Sequence, residues 1–186
     1  IESLNGELDY ISDKIILETE VLNMNEIIQA MKERRSCRKY QDTMIPKEDL
    51  EEIIEAGLYA ASGMGKQSPI IVAVTNKEVR DELSKMNASA MGSENDPFYG
   101  APVVLIVLAD KSVRTEVYDG SLVMGNLMLA ADAKGIGSCW IHRAKEEFES
   151  EEGKKLLKKW GVEGDYVGVG HCVLGYAKDP LKPAAP

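Results

Sequence analysis

A basic cluster stands in an otherwise acidic chain: the sequence RRSCR places Arg34, Arg35 and Arg38 around Ser36. The guanidinium group presents a fixed fork of N–H donors that suits phosphate oxygens, and a serine hydroxyl adds a further donor. Phosphate binding is therefore the chemistry that these residue types predict. The alternative is a helix C-terminus, where basic side chains accumulate because they complement the helix dipole.

A second stretch of chemical interest is the loop AASGMGKQSP, residues 60–69, in which Ser62 and Gln67 lie among Gly63 and Gly65. Glycines allow the backbone to approach a flat ligand closely, and the amide of Gln67 offers both a donor and an acceptor. This composition predicts contact with a planar ligand. An ordinary helix-to-strand turn is the alternative.

A third stretch, GIGSCWIHRA at residues 135–144, sets apolar side chains beside glycines. Trp140 and Ile141 would supply a surface for a flat aromatic cofactor, with His142 and Arg143 at the solvent-exposed end of the same segment. A buried strand whose Trp140 fills the core is the alternative explanation.

Several common catalytic sites are excluded. GMGKQS begins like a dinucleotide fingerprint but lacks the third glycine and follows a predicted helix instead of a strand. The sequence contains neither a P-loop nor a GxSxG nucleophile elbow. Cys139 and His142 are close in sequence, but a nucleophile needs a base and an orienting group arranged in space, so we predict no Cys–His catalytic pair. His171 is expected to be a core or edge histidine, and the spacing of histidines and cysteines predicts no metal site.

Composition narrows the class of function further. The 186 residues carry a formal net charge of −9, which argues against nucleic-acid binding because that requires a basic face. The longest apolar run, residues 103–109, is far too short to cross a bilayer, so no membrane partner is expected. The three cysteines show no CxxC spacing, which favours a reducing cytoplasm over a disulfide framework.

These stretches need elements to position them. The apolar pattern of NEIIQAMKERR predicts a helix with Asn25 as its N-cap. A second helix is predicted to begin at Pro46, with Leu58 and Ala61 on its inward face. PIIVAVT is predicted as a buried strand, and Asn76 as the cap of a short helix after it.

The second half of the chain continues the alternation of strands and helices. APVVLIVLAD and YVGVGHCVLGY are predicted as strands, and DGSLVMGNLMLAADAKG as a central helix that is apolar on almost every side. EEFESEEGKKLLKKWG is predicted as one helix with acids first and bases last. Few strands alternating with helices indicate an α/β or α+β class. Residues 1–23 are expected to be a leader or extension before one domain, residues 24–186.

In their order and spacing, the basic RRSxR, the loop xSGxGxQxP and the segment GxGSCWI resemble the nitroreductase family, whose members are FMN-dependent NAD(P)H oxidoreductases. The resemblance runs from about Asn25 to Tyr176. It implies an α+β fold with a mainly antiparallel sheet wrapped by helices. It also implies an intertwined homodimer with FMN at the interface.

The resemblance further implies roles for the three stretches. The basic cluster matches the positions that hold the flavin phosphate and ribityl chain. The glycine loop matches a segment that reaches the flavin from the partner subunit, and the third stretch matches a segment along the isoalloxazine edge, where a backbone N–H faces the reactive N5. The matching residues are Arg34, Arg35, Ser36 and Arg38, then Ser62, Gly63, Gly65 and Gln67, then Trp140, Ile141, His142 and Arg143.

The function implied by the resemblance is hydride transfer from NADH or NADPH, through flavin N5, to a small oxidised acceptor such as a nitroaromatic or a quinone, in a ping-pong cycle. Acceptor choice is expected to depend on the loop around residues 88–99. A flavin store with little turnover and a non-flavin regulatory domain are the alternatives.

The chain departs from many relatives at Ala61, Gly65 and Ser68–Pro69, and it ends where relatives continue with basic residues, leaving Lys182 nearby.

Overall fold

The structure, a computed structural model, describes residues 26–182. The chain divides into two units, residues 1–34 and 35–186. The described part of the first unit is helix α1 (Glu26–Glu33) with Arg34 after it. The predicted cap Asn25 and the predicted extension, residues 1–23, lie outside the described residues.

The described part of the second unit is a four-stranded antiparallel sheet with helices. Its helices are α2 (Lys47–Leu58), α3 (Lys77–Met91), α4 (Glu116–Ala133), α5 (Ala144–Glu149) and α6 (Glu151–Lys159). Its strands are β1 (Ile70–Val74), β2 (Val103–Asp110), β3 (Gly137–Ile141) and β4 (Tyr166–Gly175). The strand order is β1-β2-β4-β3, with every neighbouring pair antiparallel. The prediction of an α+β fold with an antiparallel sheet is confirmed.

Strand β2 is apolar throughout because both faces of the sheet are covered. Alternate residues of a strand point to opposite faces, so its odd-numbered residues pack with α2 and α4. Its even-numbered residues pack with α3, α5 and α6 on the other face. Seven consecutive residues, from Val103 to Ala109, are fully buried as a result.

The first half of the chain departs from the predictions at three points. Strand β1 is an edge strand, and Val74 is its one fully buried residue. Leu58 and Ala61, predicted to face the core, are exposed because α2 ends at Leu58 and the chain turns away. The helix capped by Asn76 is not short but spans 15 residues, and the Asn76 side chain accepts from Val79 N–H as predicted.

The segment predicted as one acidic-to-basic helix is two helices, α5 and α6. Ser150 is extended (φ −69°, ψ 160°), and its Oγ accepts from Gly153 N–H at 3.0 Å, which caps α6. The prediction of a single helix was wrong because this serine competes for the backbone N–H groups that would otherwise continue the first helix.

Two glycines let the short helix α5 lie against its neighbours by direct backbone contact. A Cβ on Gly153 of α6 would overlap the carbonyl oxygen of Glu147. A Cβ on Gly168 of β4 would overlap the carbonyl oxygen of Ala144. Helix α5 is thus held between a strand and a helix at distances that only glycine permits.

Among the described residues, no helix combines the length and the apolar character needed to span a membrane.

Candidate functional site

The basic cluster extends past the end of α1. That helix ends at Glu33, and the Arg34 N–H still donates to the Ala30 carbonyl at 2.8 Å. Arg35 then opens the second unit. Because the helix dipole acts within the last turn, it can account for Arg34 but not for Arg38. The dipole explanation of the whole cluster therefore fails.

Past the helix, the chain runs along the edge of strand β3. Ser36 forms a parallel bridge with Ser138, and Cys37 N–H donates to the Ser138 carbonyl at 2.8 Å. Extended backbone sends successive side chains to opposite sides, so Cys37 is buried and Arg38 is exposed. Lys39 pairs with Asp179 at 3.1 Å. Arg38 is thus presented to solvent beside the hydroxyl-bearing Ser36.

The glycine loop is a tight turn with unusual backbone angles. Gly63–Gly65 form one 3₁₀ turn directly after the extended Ser62. Met64 (φ 55°), Gly65 (φ 65°) and Gln67 (φ 46°) all have positive φ. A non-glycine residue with such a φ costs on the order of 1–3 kcal/mol, so other contacts must hold this loop in shape.

The side chain of Gln67 supplies part of that hold. Its Nε2 donates to the carbonyls of Leu58 at 2.9 Å and Ala60 at 3.2 Å, and its Oε1 accepts from the Ser62 hydroxyl. The Ser62 hydroxyl also accepts from the Gln67 N–H at 2.9 Å. Both polar ends of Gln67 are engaged inside the loop, which gives this residue a shaping role.

Asp119, in the first turn of α4, holds the other side of the loop. Its Oδ1 accepts from Gly63 N–H and its Oδ2 accepts from the Thr115 hydroxyl, both at 2.9 Å. The side chain is almost fully buried, at 3% exposure. We did not single out Asp119 from the sequence, although an acid inside an otherwise apolar helical pattern was the available signal.

The third stretch ends in a left-handed turn. Trp140 lies across Gly170 of β4, where a Cβ would overlap the indole nitrogen, so the tryptophan packs partly on the sheet. Ile141 is buried and His142 is exposed. Arg143 then adopts φ 76° and ψ 10°, a left-handed conformation that is uncommon for residues other than glycine.

A buried polar group lies behind this turn. Asn87 of α3 donates from Nδ2 to the His142 carbonyl at 2.8 Å and to Glu147 Oε2 at 2.7 Å. Its Oδ1 accepts from Arg143 Nε at 3.1 Å. His171 Nε2 lies 3.1 Å from the same Glu147 oxygen, and His171 is in the core as predicted. Asn87 follows the buried Leu83 by four residues on α3, which was the sequence signal for its inward position.

Burial sets the ionisation of this pair. It raises the pKa of Glu147 from 4.5 to about 8, against the hydrogen bond from Asn87 and the charge of Arg143. It lowers the pKa of His171 from 6.5 to about 3. Both shifts favour the uncharged form, so at pH 7 the two groups form a neutral pair rather than an ion pair.

We expect Glu147→Gln to flatten the pH dependence of stability between pH 6.5 and 8. In this window the unfolded glutamic acid has lost its proton while the folded one retains it, so the parent is destabilised as pH rises. His171 acts in the opposite direction as the pH falls toward and below 6.5, where the unfolded imidazole takes up a proton. The parent should lose about 1–1.5 kcal/mol across the window, because the slope reaches 1.36 kcal/mol per pH unit only well below the pKa of folded Glu147 and because His171 opposes the loss near pH 6.5.

Urea unfolding at pH 6.5 and 8 measures this loss. The glutamine retains an oxygen that can accept from Asn87, so the variant is a matched replacement for the protonated acid. Equal losses in parent and variant would contradict the assignment of the proton to Glu147.

The glycine loop and Ser36 occupy diagonally opposite corners of the sheet. Ser36 lies on the outer side of the edge strand β3, where it bridges to Ser138. Ser138 pairs with Leu174 of β4, and Leu174 pairs with Val103 of β2, so Ser36 is at the level of Val103. The loop enters β1, on the far edge, where Ile70 pairs with Leu108. At about 4.8 Å per strand and about 3.4 Å per residue, the corners are roughly 25 Å apart.

The loop predicted to govern acceptor choice is anchored by Asp96. Its Oδ1 accepts from the Ser84 hydroxyl at 2.6 Å and from Phe98 N–H at 3.0 Å, and its Oδ2 accepts from Gly100 N–H at 2.7 Å.

Within residues 26–182, no three His, Cys, Asp or Glu side chains are grouped so that they could hold a metal ion.

Comparisons with known proteins agree with this architecture. A crystal structure of an FMN-bound nitroreductase from Bacteroides fragilis superposes with a TM-score of 0.81 and 31% identity, covering 88% of this chain and 95% of that one. A protein of Archaeoglobus fulgidus described as a putative NADH dehydrogenase/NAD(P)H nitroreductase is 31% identical over 84% of this chain and 88% of its own length. A protein of Methanothermobacter thermautotrophicus with the same description is 31% identical, but the match covers only 60% of its length.

A sequence model of the nitroreductase family matches residues 31–98 and 88–176, which together span most of the chain. The predicted resemblance is confirmed, and the chain belongs to the nitroreductase family.

Proposed function

We propose that this protein is an FMN-dependent oxidoreductase that takes hydride from NADH or NADPH and reduces a small oxidised acceptor, such as a nitroaromatic or a quinone, in a ping-pong cycle. The observation that carries the proposal is the exposed Arg38 beside Ser36, past the end of α1, in a chain of this family. Membership of the family and the likeness to an FMN-bound nitroreductase support the same cofactor.

The residues present fit FMN. Arg38 offers an unobstructed guanidinium fork and Ser36 a hydroxyl, which are donors that a phosphate monoester requires. Arg34 and Arg35 add positive charge from the preceding residues. The tight loop exposes Gly65, where no atom lies within 4 Å of the place a Cβ would occupy, so a flat ring could approach the backbone.

FMN, when bound, supplies the redox chemistry by accepting a hydride at N5 and passing two electrons on. The protein therefore needs to bind and orient the cofactor, not to supply a nucleophile. Trp140, Ile141, His142 and Arg143 are the residues that we assign to the isoalloxazine edge, and Ser62, Gly63, Gly65 and Gln67 those that we assign to the loop reaching the ring.

We expect Cys139→Ser and His142→Ala each to slow flavin reduction by less than about tenfold, because loss of a general acid or base costs 10²–10⁴. Cys139 is buried and His142 is exposed, so they do not form a shielded pair. Stopped-flow reduction by NADH and NADPH measures the rates. Loss of reduction in a variant that retains FMN would indicate side-chain catalysis instead.

The working unit is, in this proposal, a homodimer with two FMN sites at its interface. Ser36 and the glycine loop of one chain lie at opposite corners of the sheet, which favours sites completed by the partner's loop. Large apolar side chains on α2, the loop and α4 are exposed to solvent, as expected of an interface that a second chain covers. They are Leu58, Tyr59, Met64, Val117, Tyr118 and Leu122.

The domain bounds, the excluded partners and the cellular location in this proposal are argued from the sequence. Residues 24–186 form the FMN-binding domain and residues 1–23 an extension before it. A formal net charge of −9 is unfavourable for nucleic-acid or anionic membrane partners. The three cysteines show no CxxC spacing in the sequence, which favours a cytoplasmic location.

The absorption spectrum of the purified protein is the first test. A yellow protein with flavin bands supports FMN binding, and a colourless protein that cannot be loaded with FMN would leave the non-flavin regulatory domain as the better description. Anaerobic bleaching by NADH or NADPH, followed by re-oxidation with a quinone, then separates an enzyme from a flavin store.

A further inference from the structure

Both N–H groups and the oxygen of the Asn87 amide form hydrogen bonds with one short segment, residues 142–147. One N–H group binds the His142 carbonyl, the other binds Glu147, and the oxygen accepts from the Arg143 guanidinium. Asn87 itself is fully buried on α3. A buried amide with every donor and acceptor occupied has one orientation, and it fixes the groups that it binds.

The bond to the His142 carbonyl determines where the next N–H points. The peptide between His142 and Arg143 is trans. In a planar trans peptide the C=O and N–H bonds point in opposite directions. Because the carbonyl is directed toward Asn87 on α3, the Arg143 N–H is directed away from that helix.

Arg143 would not keep this conformation without support. Its φ of 76° lies in the left-handed region, which is unfavourable for a residue other than glycine. Asn87 binds this turn twice, at the His142 carbonyl and at the Arg143 side chain. These two hydrogen bonds offset the cost of the conformation.

Glu147 holds Asn87 from the other side. Its side chain is fully buried, and it is faced by Asn87 from α3, by Arg143 from the turn and by His171 from β4. Glu146 is its charged neighbour on α5. Glu147 remains uncharged at pH 7 because of its burial, so the network carries no buried carboxylate at this pH. Its Oε2 accepts from Asn87 Nδ2 at 2.7 Å.

We propose that Asn87, held by Glu147, is a positioning residue that directs the Arg143 backbone N–H toward the flavin. The inference rests on the proposed function, in which the segment from Trp140 to Arg143 lies along the isoalloxazine edge. Within that segment, the Arg143 N–H is the donor that we assign to the ring, and Asn87 is the residue that orients it. An N–H donor facing N5 favours oxidised flavin, because N5 accepts a hydrogen bond when oxidised and carries its own hydrogen when reduced.

The test compares Asn87→Leu with Ser84→Ala. Leucine keeps the size of the side chain and removes both bonds to the turn as well as the bond to Glu147. Ser84 lies on the same helix and is also buried, and its replacement by alanine removes a bond of 2.6 Å to Asp96, so this variant controls for a general loss of stability. We expect Asn87→Leu to weaken oxidised FMN about tenfold relative to reduced FMN, which raises the two-electron midpoint potential by about 30 mV. Ser84→Ala should leave the potential unchanged.

A second measurement does not depend on turnover. In the ¹⁵N-labelled flavin-free protein, adding FMN should shift the Arg143 amide resonance strongly in the parent and much less in the Asn87→Leu variant. Asn87→Asp, which cannot donate to the His142 carbonyl, replaces the leucine variant if thermal melting shows that the latter does not fold.

The outcomes separate the two proposals. If the parent does not bind FMN, the proposed function fails. If the parent binds FMN but its Arg143 amide does not respond, or if the Asn87 variants match the parent in both potential and amide shift, the positioning role is wrong and the proposed function stands.

Discussion

A heterodimer in which one chain lacks the basic cluster and the other lacks the loop is expected to bind one FMN, although each parent homodimer binds little. The first chain carries Arg34→Ala with Arg38→Ala, and the second carries Gln67→Ala with Ser62→Trp. If each site combines the cluster of one chain with the loop of the other, one site of the heterodimer carries both lesions and the other carries neither.

The geometry of the sheet motivates this expectation. Ser36 and the start of β1 lie roughly 25 Å apart, at opposite corners, by the standard spacings of strands and residues. Gln67 is a suitable target because its amide bonds to Leu58, Ala60 and Ser62 shape the loop. Its removal should collapse the loop without touching the basic cluster.

Two different affinity tags allow the mixed dimer to be isolated, and flavin absorbance per dimer gives the stoichiometry. A heterodimer of the parent with the cluster variant is the matched control, since it should bind one FMN whichever way the sites are built. If the doubly mutated heterodimer remains empty while this control binds one, both motifs serve the flavin within one chain and the split site is wrong.

Arg38→Ala is expected to lower FMN affinity by roughly 10- to 150-fold. The change removes a charge-assisted hydrogen bond, worth about 1.5–3 kcal/mol, from the phosphate. Arg38 is exposed, so its loss leaves no buried partner unpaired and should change stability little. Fluorescence titration of the apoprotein with FMN, together with a thermal melt, measures both quantities.

Lys39→Ala is the natural control for Arg38→Ala. It removes the adjacent positive charge, but Lys39 is paired with Asp179 on an exposed surface, where an ion pair contributes little. Equal affinity losses in the two variants would mean that FMN senses only the general positive potential of this region. Undiminished affinity in Arg38→Ala would remove Arg38 from the site.

Sequence patterns predicted the elements whose signals are local. The uninterrupted apolar run of β2 correctly indicated a strand, and Asn76 correctly marked the start of α3. Where the signal was ambiguous, the prediction failed: EEFESEEGKKLLKKWG has the charge order of one helix, but Ser150 divides it. Burial of β1 was overestimated because a hydrophobic run does not show that a strand lies at an edge.

The candidate site shows the same limit. The three stretches were identified from residue types and their order, but the residues that support them were not. Asn87 is 55 residues from the carbonyl that it binds, and Asp119 is 56 residues from Gly63. Pairings of this kind depend on how helices cross the sheet, and no local pattern encodes that crossing.

The backbone contacts of α5 with Gly153 and Gly168 have a consequence for how this part of the protein can vary and move. Contacts between side chains can be relieved by a change of rotamer, whereas contacts between backbones cannot. The helix that begins directly after Arg143 therefore has little compliance, and its placement is independent of the identities of its exposed residues Lys145, Glu146 and Glu149. Sequence drift on that outer face leaves the turn where it is, whereas any side chain at either glycine would displace it.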